Sequence, residues 1–348
     1  MLKARSPKSN NNMHPELTAA IDALGLGKEV PTLRHNADLT DARVKDSREF
    51  LRKGLPPTNV PLDVVALGSM GRQESSTESD FDWLVLAHGL PADVNQSRAL
   101  IDLVNGLQVA LEMQKPGPTG VFGRVISSPD LTEFIGLEED TNRSLTHRIL
   151  ILGESVSLYQ PDLHNELVRR IFERYFVDYK KPKEGVPRFL LNDALRYWRT
   201  LAVDYQAKRW QGRSDWGLRY LKLLISRKLS FAGFVIPLLI CERTDVEYFV
   251  QQFKMPPLAR IAQLHKFGSE FNDPLRVIVR VAEAFSSSLS DPVFRGEAEK
   301  VIAPGDKEHW PQSFIYVKKD ADKLQEALEE MFFESDLLRS KAKKYLSF

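Results

Sequence analysis

Two neighbouring stretches decide the fold: Val64-Val65-Ala66-Leu67-Gly68-Ser69-Met70-Gly71-Arg72-Gln73-Glu74, and Ser79-Asp80-Phe81-Asp82-Trp83-Leu84-Val85-Leu86. The apolar runs Val64 to Leu67 and Phe81 to Leu86 read as buried strands, with a Gly-Ser turn leaving the first and an Asp-x-Asp pair at the start of the second. Because Gly68 and Ser69 directly follow a strand, a tight turn into a helix would aim unpaired backbone N–H groups and the Ser69 hydroxyl at a phosphate. Side chains alternate faces along a strand, which places Asp80 and Asp82 on one side and sends Phe81 and Trp83 into the core. Two adjacent carboxylates repel unless cations hold them together. Such hard oxygen ligands suit Mg2+ or Mn2+, and magnesium is commonly bound by one or two carboxylates plus substrate phosphates. The spacing points to a site for a metal-bound triphosphate.

Upstream, Glu16 to Leu26 and Asp38 to Leu55 read as helices, the second begun by Thr40 as a cap and ended by Gly54, Pro56 and Pro57. Downstream, Val121 to Ser127 and Ile149 to Leu152 read as further buried strands, with a helix over Gln96 to Met113. From about Asp162 the pattern is helical to the end. Leu191, Leu195, Trp198, Ala202 and Tyr205 recur at three- and four-residue spacing and predict a core face over Phe189 to Lys208. Pro182 and Pro187 mark the joint before it, and a loop at Ala303 to Pro311 precedes a charged helix from Lys319 onward. The expected fold is an α/β domain over residues 38–160, a mixed sheet with flanking helices, followed by an all-helical domain over 161–348. Residues 1–37 form a tail and a helix ahead of both.

With 348 residues, 43% of them apolar and 27% charged, the chain can bury a substantial core, which excludes a disordered, collagenous or disulfide-scaffold protein. The lone Cys241 cannot form an internal disulfide or a thiolate zinc site, and the start carries no signal-like apolar segment. The run Phe231 to Cys241, interrupted by Pro237, falls short of the ~20 apolar residues of a membrane span. A soluble cytoplasmic protein with no membrane partner is expected. The seven histidines are dispersed, so neither a hydrolase nor a zinc site is expected.

The net charge of +1 conceals an asymmetry: residues 1–168 carry 16 basic and 23 acidic side chains, 169–228 carry 16 and 6, and 229–348 carry 16 and 18. One basic segment between acidic flanks suits a local polyanion such as a triphosphate or an RNA end. Arg188, Asn192, Arg196 and Arg199 share a polar helix face, and Arg219, Lys222 and Ser226 share the next. Arg196 and Lys222 are the pair chosen for the triphosphate; salt bridges to Asp193, Asp204 and Asp215 are the competing reading. Trp198, Trp210 and Trp216 are placed to stack a base, with core packing favoured for Trp198.

Gly68-Ser69, a spacer of about ten residues and Asp80-x-Asp82 together resemble the signature of the DNA-polymerase-beta-like nucleotidyltransferase superfamily. The wording Gly-Ser-x-Gly-Arg-x-Glu with Ser-Asp-x-Asp is most similar to the bacterial branch containing the PII uridylyltransferase and the CBS-linked nucleotidyltransferases, over roughly Asp63 to Asp162. The resemblance implies that Gly68 and Ser69 bind the triphosphate of an NTP, ATP or UTP, that Asp80 and Asp82 bind Mg2+, and that Arg72 belongs to the nucleotide-binding motif. The implied reaction transfers a nucleoside monophosphate to a hydroxyl of a protein, an RNA or a small molecule, with release of pyrophosphate, in a cleft between the domains. Many members add a third carboxylate as general base on a later strand, yet Val121 to Ser127 contains no acid; Asp130 and Glu154 are the candidates, with Glu133 beside the former. Two other readings stay open: a cyclic or linear oligonucleotide synthase of the antiviral signalling type, and a catalytically silent nucleotide-binding regulatory or antitoxin module.

Overall fold

The computed structural model describes residues 12–55, 58, 60–89, 94–117, 120–177, 183–210, 216–302 and 307–346. Two helices open it, α1 (Pro15–Ala23) and α2 (Pro31–Gly54). Four strands follow, β1 (Leu62–Leu67), β2 (Trp83–Ala87), β3 (Arg124–Ser127) and β4 (Ser155–Ser157), with α3 (Val94–Ala110), α4 (Pro129–Thr132) and α5 (Asn142–Gly153) among them. After α6 (Pro161–Tyr175), the short strands β5 (Lys183–Glu184) and β6 (Arg243–Thr244) bracket α7 (Arg188–Trp210), α8 (Trp216–Lys222) and α9 (Lys228–Ile240). Among the described residues six further α-helices follow: α10 (Val246–Lys254), α11 (Pro257–Ala262), α12 (Asn272–Ser290), α13 (Pro292–Lys300), α14 (Gln312–Glu329) and α15 (Arg339–Tyr345). These elements sort into a sheet unit, Met1–Asn12, His35–Pro187 and Arg243–Pro256, and a helical unit, Met13–Arg34, Arg188–Glu242 and Pro257–Phe348.

The sheet has the order β3-β2-β1-β4, with β1 antiparallel to both neighbours and β2 parallel to β3. Every residue of β1 and β2 is buried, which is why both read as unbroken apolar runs: a strand covered on two faces has no polar side to show. Val64, Ala66, Phe81, Trp83 and Val85 form one face and pack with Val44 and Leu51 of α2 and Leu100, Val104 and Leu107 of α3. α4, α5 and α6 contact β3, β4 and β1. There Arg148 of α5, fully buried, grips Asp140 through two parallel bonds of 3.1 and 2.8 Å and donates to the Tyr175 hydroxyl of α6 at 2.8 Å. The mixed sheet with flanking helices, plus a helical region, agrees with the expected coarse architecture.

Several boundaries differ from the sequence reading. Ile149 to Leu152 is the last turn of α5, a helix capped by Thr141, whose side chain accepts from Ser144 N. All four residues are buried, and burial on every side produces the same apolar run in a helix as in a strand. The strand follows at Ser155–Ser157, where two serines hide it. Thr40 is no cap: α2 begins nine residues earlier, at Pro31, and the N–H groups of Thr32 and Leu33 donate to the Glu283 carboxylate of α12, at 2.9 Å each. A cap supplied from 250 residues away leaves no local signal. On α7, Leu191 is buried, Leu195 and Trp198 are partly so, and Ala202 is exposed; Leu190, Asp193 and Ala194 complete the buried set. The charged C-terminal helix opens at Gln312, ahead of Lys319.

In the helical unit, α8, a π-helical turn at Leu223–Arg227 and α9 join into one continuous helix, Trp216–Ile240. Its 25 residues are long and apolar enough to cross a membrane by length and composition, a span that the shorter run ending at Cys241 did not suggest. More than half of this stretch is buried within the protein, as in a core helix: Ala232 to Ile240 are buried without a break, against α11 and α7.

Asp63 of β1 accepts the N–H groups of Tyr159 and Gln160 at 3.1 and 2.7 Å, and burial raises its pKa to about 6 despite those bonds. A carboxyl whose folded pKa is raised stabilises fully below its ordinary pKa and loses that contribution as pH rises through the folded value. Asp63→Asn keeps the acceptor oxygen and cannot ionise, so its unfolding free energy should gain on the native chain by about 1 to 3 kcal/mol between pH 4 and pH 8. Urea titrations of both chains at the two pH values check this; a difference that does not change with pH rejects the assignment.

Candidate functional site

One end of the sheet gathers the loop ends that the signature occupies. Leu67, the last residue of β1, pairs with Ser155 of β4 on one side, and its N–H donates to Asp82 O at 2.8 Å on the other. Gly68, Asp82 and Glu154 are therefore neighbours in register, and Arg124, paired with Leu84, begins β3 beside them. The turn after β1 is a single helical turn. Arg72 N donates to Gly68 O at 2.9 Å, and the turn closes when Gln73 N reaches Met70 O at 3.2 Å and Glu74 N reaches Ser69 O at 2.8 Å. Gln73 takes φ 60°, the left-handed conformation of this closing motif, so the chain leaves at once, where the sequence reading expected a helix to follow.

Two glycines are required for contact reasons. A Cβ on Gly68, which has φ +63°, would lie 3.0 Å from Oδ2 of Asp82, so the bare backbone is what admits that carboxylate over the turn. A Cβ on Gly71 would stand 2.0 Å from the Glu154 carbonyl oxygen and 2.3 Å from its carbon; the turn is pressed against the backbone that enters β4. Arg72 then closes the join. Its Nε donates to Glu74 at 2.7 Å and its Nη1 to Glu154, with the arginine 9% and Glu154 4% exposed. Burial opposes the guanidinium charge, but the two carboxylates outweigh it and hold the Arg72 pKa above its ordinary value.

The spacer to the aspartates is fixed from α2. Arg43, buried, donates to Ser75 Oγ at 2.5 Å and to Ser76 O at 2.7 Å, and Ser75 N donates to Thr40 Oγ1 at 3.1 Å. Asp80 bridges to Gln114, whose carbonyl accepts Phe81 N at 2.9 Å. Phe81 and Trp83 are buried, and Asp80 and Asp82 are partly exposed, as the alternation predicts.

The structure brings Gly68, Ser69, Arg72, Asp80, Asp82 and Glu154 to this end and takes Asp130 away from it. Asp130 and Glu133 follow the C-terminal end of β3, whereas Asp80 and Asp82 precede β2; the strands are parallel, so about 13 Å of strand separates them. Arg124 holds the β3 position on the Asp82 face, where the resemblance would put a third acid. Glu154 is adjacent but engaged by Arg72. Among the described residues no three His, Cys, Asp or Glu side chains are grouped to hold a metal. Two carboxylates beside Ser69 nevertheless suit a magnesium ion that takes its remaining ligands from substrate and water.

In the helical unit Arg196 pairs with the buried Asp193 at 2.9 Å, the salt-bridge alternative, and Lys222 is partly buried at the end of α8. Trp198 stacks on Phe231 with ring centroids 5.2 Å apart and Trp216, buried, on Tyr220 at 4.8 Å; Trp210 is 78% exposed. Asp215, proposed as a salt-bridge partner, lies outside the described residues, as do Pro182 and part of the Ala303 to Pro311 loop. Arg43 and the Arg72–Glu154 pair escaped the sequence reading because neither partner is local. No protein-family model matches the chain, and no curated protein does.

Replacing Arg72 by Met should cost about 3 to 5 kcal/mol, since it leaves Glu74 and Glu154 facing each other in a buried site, while Glu154→Gln should cost less. Urea unfolding without nucleotide measures both; an Arg72→Met chain within 0.5 kcal/mol of the native one would reduce the clamp to a nucleotide contact alone.

Proposed function

We propose that this protein is a metal-dependent nucleotidyltransferase, moving a nucleoside monophosphate from an NTP to an acceptor hydroxyl with release of pyrophosphate. The observation that carries this reading is the convergence of the Gly68-Ser69 turn with Asp80 and Asp82, Asp82 Oδ2 lying against Gly68. The mixed sheet flanked by helices is compatible with it.

In this reading the Ser69 hydroxyl and the backbone of the turn orient the triphosphate, and Gly68 lets phosphate and carboxylate approach together. Asp80 and Asp82 would hold Mg2+ or Mn2+, which when bound neutralises charge developing on the reacting phosphates. Arg72 acts through position, holding Glu154 and Glu74 so that the turn keeps its shape. Among the described residues no third carboxylate joins the pair, so the acceptor proton would leave to a phosphate oxygen of the substrate or to water. Arg124 at the β3 position favours a second reading, a module that binds the nucleotide without turning it over.

Incubation with each NTP labelled at the α-phosphate, with magnesium and no added acceptor, separates the readings: self-labelling or an oligonucleotide product supports transfer, and binding without product supports the silent module. Asp80→Asn or Asp82→Asn should abolish labelling while the fold survives, and the double variant should be no worse than either single. Ser69→Ala should weaken NTP binding by ~1 to 2 kcal/mol. Normal labelling by either aspartate variant at saturating magnesium would sink the proposal.

A further inference from the structure

We propose that a cavity along the free edge of β3 is a phosphate-monoester site. It encloses about 200 Å³, and its lining includes Arg124, Ser127, Asp130, Arg143, Ser144 and His147. β3 is an edge strand, with β2 on one side only, and the first turn of α5, which carries Arg143 and Ser144, forms part of the opposite wall.

Two arginines in the lining, Arg124 and Arg143, have no partner among the described residues. The more buried guanidiniums of the sheet unit have partners: Arg43 in Ser75 and Ser76, Arg48 in the Ser157 carbonyl, Arg72 in two glutamates, Arg148 in Asp140 and Tyr175. Neither Arg124 nor Arg143 donates to any described residue, and Nε of Arg124 is buried with no acceptor. A buried guanidinium N–H without an acceptor costs free energy, and Arg124 lines the cavity with no acceptor in the protein to neutralise its charge. Against these two cations the lining offers one carboxylate, Asp130, leaving the cavity positive.

His147 reports the same field. Its Nε2 donates to Val121 O at 2.8 Å, burial lowers its pKa, and Arg124 and Arg143 depress it further. The imidazole is thus held neutral, and the positive charge in the cavity belongs to the guanidiniums. One arginine fork satisfies a carboxylate; two forks, with the Ser144 hydroxyl, match the oxygens and double charge of a phosphate monoester, while the Ser127 hydroxyl donates to Gly89 O. The N-terminal end of the 12-residue α5 adds its partial positive charge in the same direction. Arg124 starts β3 beside the Asp80–Asp82 end, and the cavity runs from it along β3 toward Asp130, away from that end; the proposal does not rest on the reaction proposed there.

Inorganic phosphate is the probe, titrated calorimetrically into the full chain, with the His147 imidazole followed by NMR in parallel. Phosphate should bind and shift the His147 resonances, more strongly than acetate does. Arg143→Gln, at an exposed position that the fold does not depend on, should weaken binding about tenfold or more, and Arg124→Lys should weaken it by a similar factor. Ser69→Ala should leave the phosphate-induced His147 shift unchanged. Phosphate binding that survives Arg143→Gln and Arg124→Lys but is lost with Ser69→Ala, or a His147 signal that never moves, overturns the proposal.

Discussion

Arg72 lies between two carboxylates, Glu74 at the exit of the turn and Glu154 at the entry to β4, and a guanidinium so buried cannot be left with neither of them. Taking three charges out of water is costly, so the cluster adds little net stability compared with an apolar plug of the same size. What it supplies is position. The hydrogen bonds have direction, and they admit the turn in one orientation only, the one in which Gly71 rests on the Glu154 backbone and Gly68 faces Asp82. The backbone carrying the aspartates is fixed separately, at Asp82 by the bond from Leu67 N and at Asp80 by its bridge to Gln114.

A second group of polar residues works from behind. Thr40 and Arg43 stand on the buried side of α2 and spend their hydrogen bonds on Ser75 and Ser76, so the spacer between glycine turn and aspartates is tied to a helix as well as to its own ends. A spacer of this length would otherwise sample many conformations, and the ordering entropy would fall on any ligand. Helix, turn and strand thus hold the site in one arrangement before anything binds.

The strands β1 and β2, the glycine turn and the inward Phe81 and Trp83 were legible because each is written in local pattern. So was the coarse division into a sheet with flanking helices and a helical region. Ile149 to Leu152 was misread because an apolar run of four has no period long enough to separate a helical turn from a strand. β4 hides for the converse reason: Ser155, whose hydroxyl bonds Ile151 O and His164, and Ser157 make up two of its three residues, so a strand is built from residues that read as a loop. The start of α2 and the role of Arg72 depend on Glu283 and Glu154, and contacts across that many residues leave no trace in spacing. Arg124 and Arg143 illustrate the opposite limit: each is an ordinary basic residue in the sequence, and only the cavity gives them a common task.

The segment Arg243–Pro256 returns to the sheet unit after the chain has contributed α7, α8 and α9 to the helical one, and α10 within it packs on α6. A ribosome delivers the chain from its N-terminus, and domains ordinarily condense as each is finished. Here the whole of Arg188–Glu242, including the most apolar helix of the protein, has emerged before the sheet unit receives its last helix. The helical unit in turn begins with Met13–Arg34 and waits for residues beyond Pro257. The sheet unit is thus complete once Pro256 has emerged, whereas the long apolar helix, made before it, spends that interval without its partners α11 and α12.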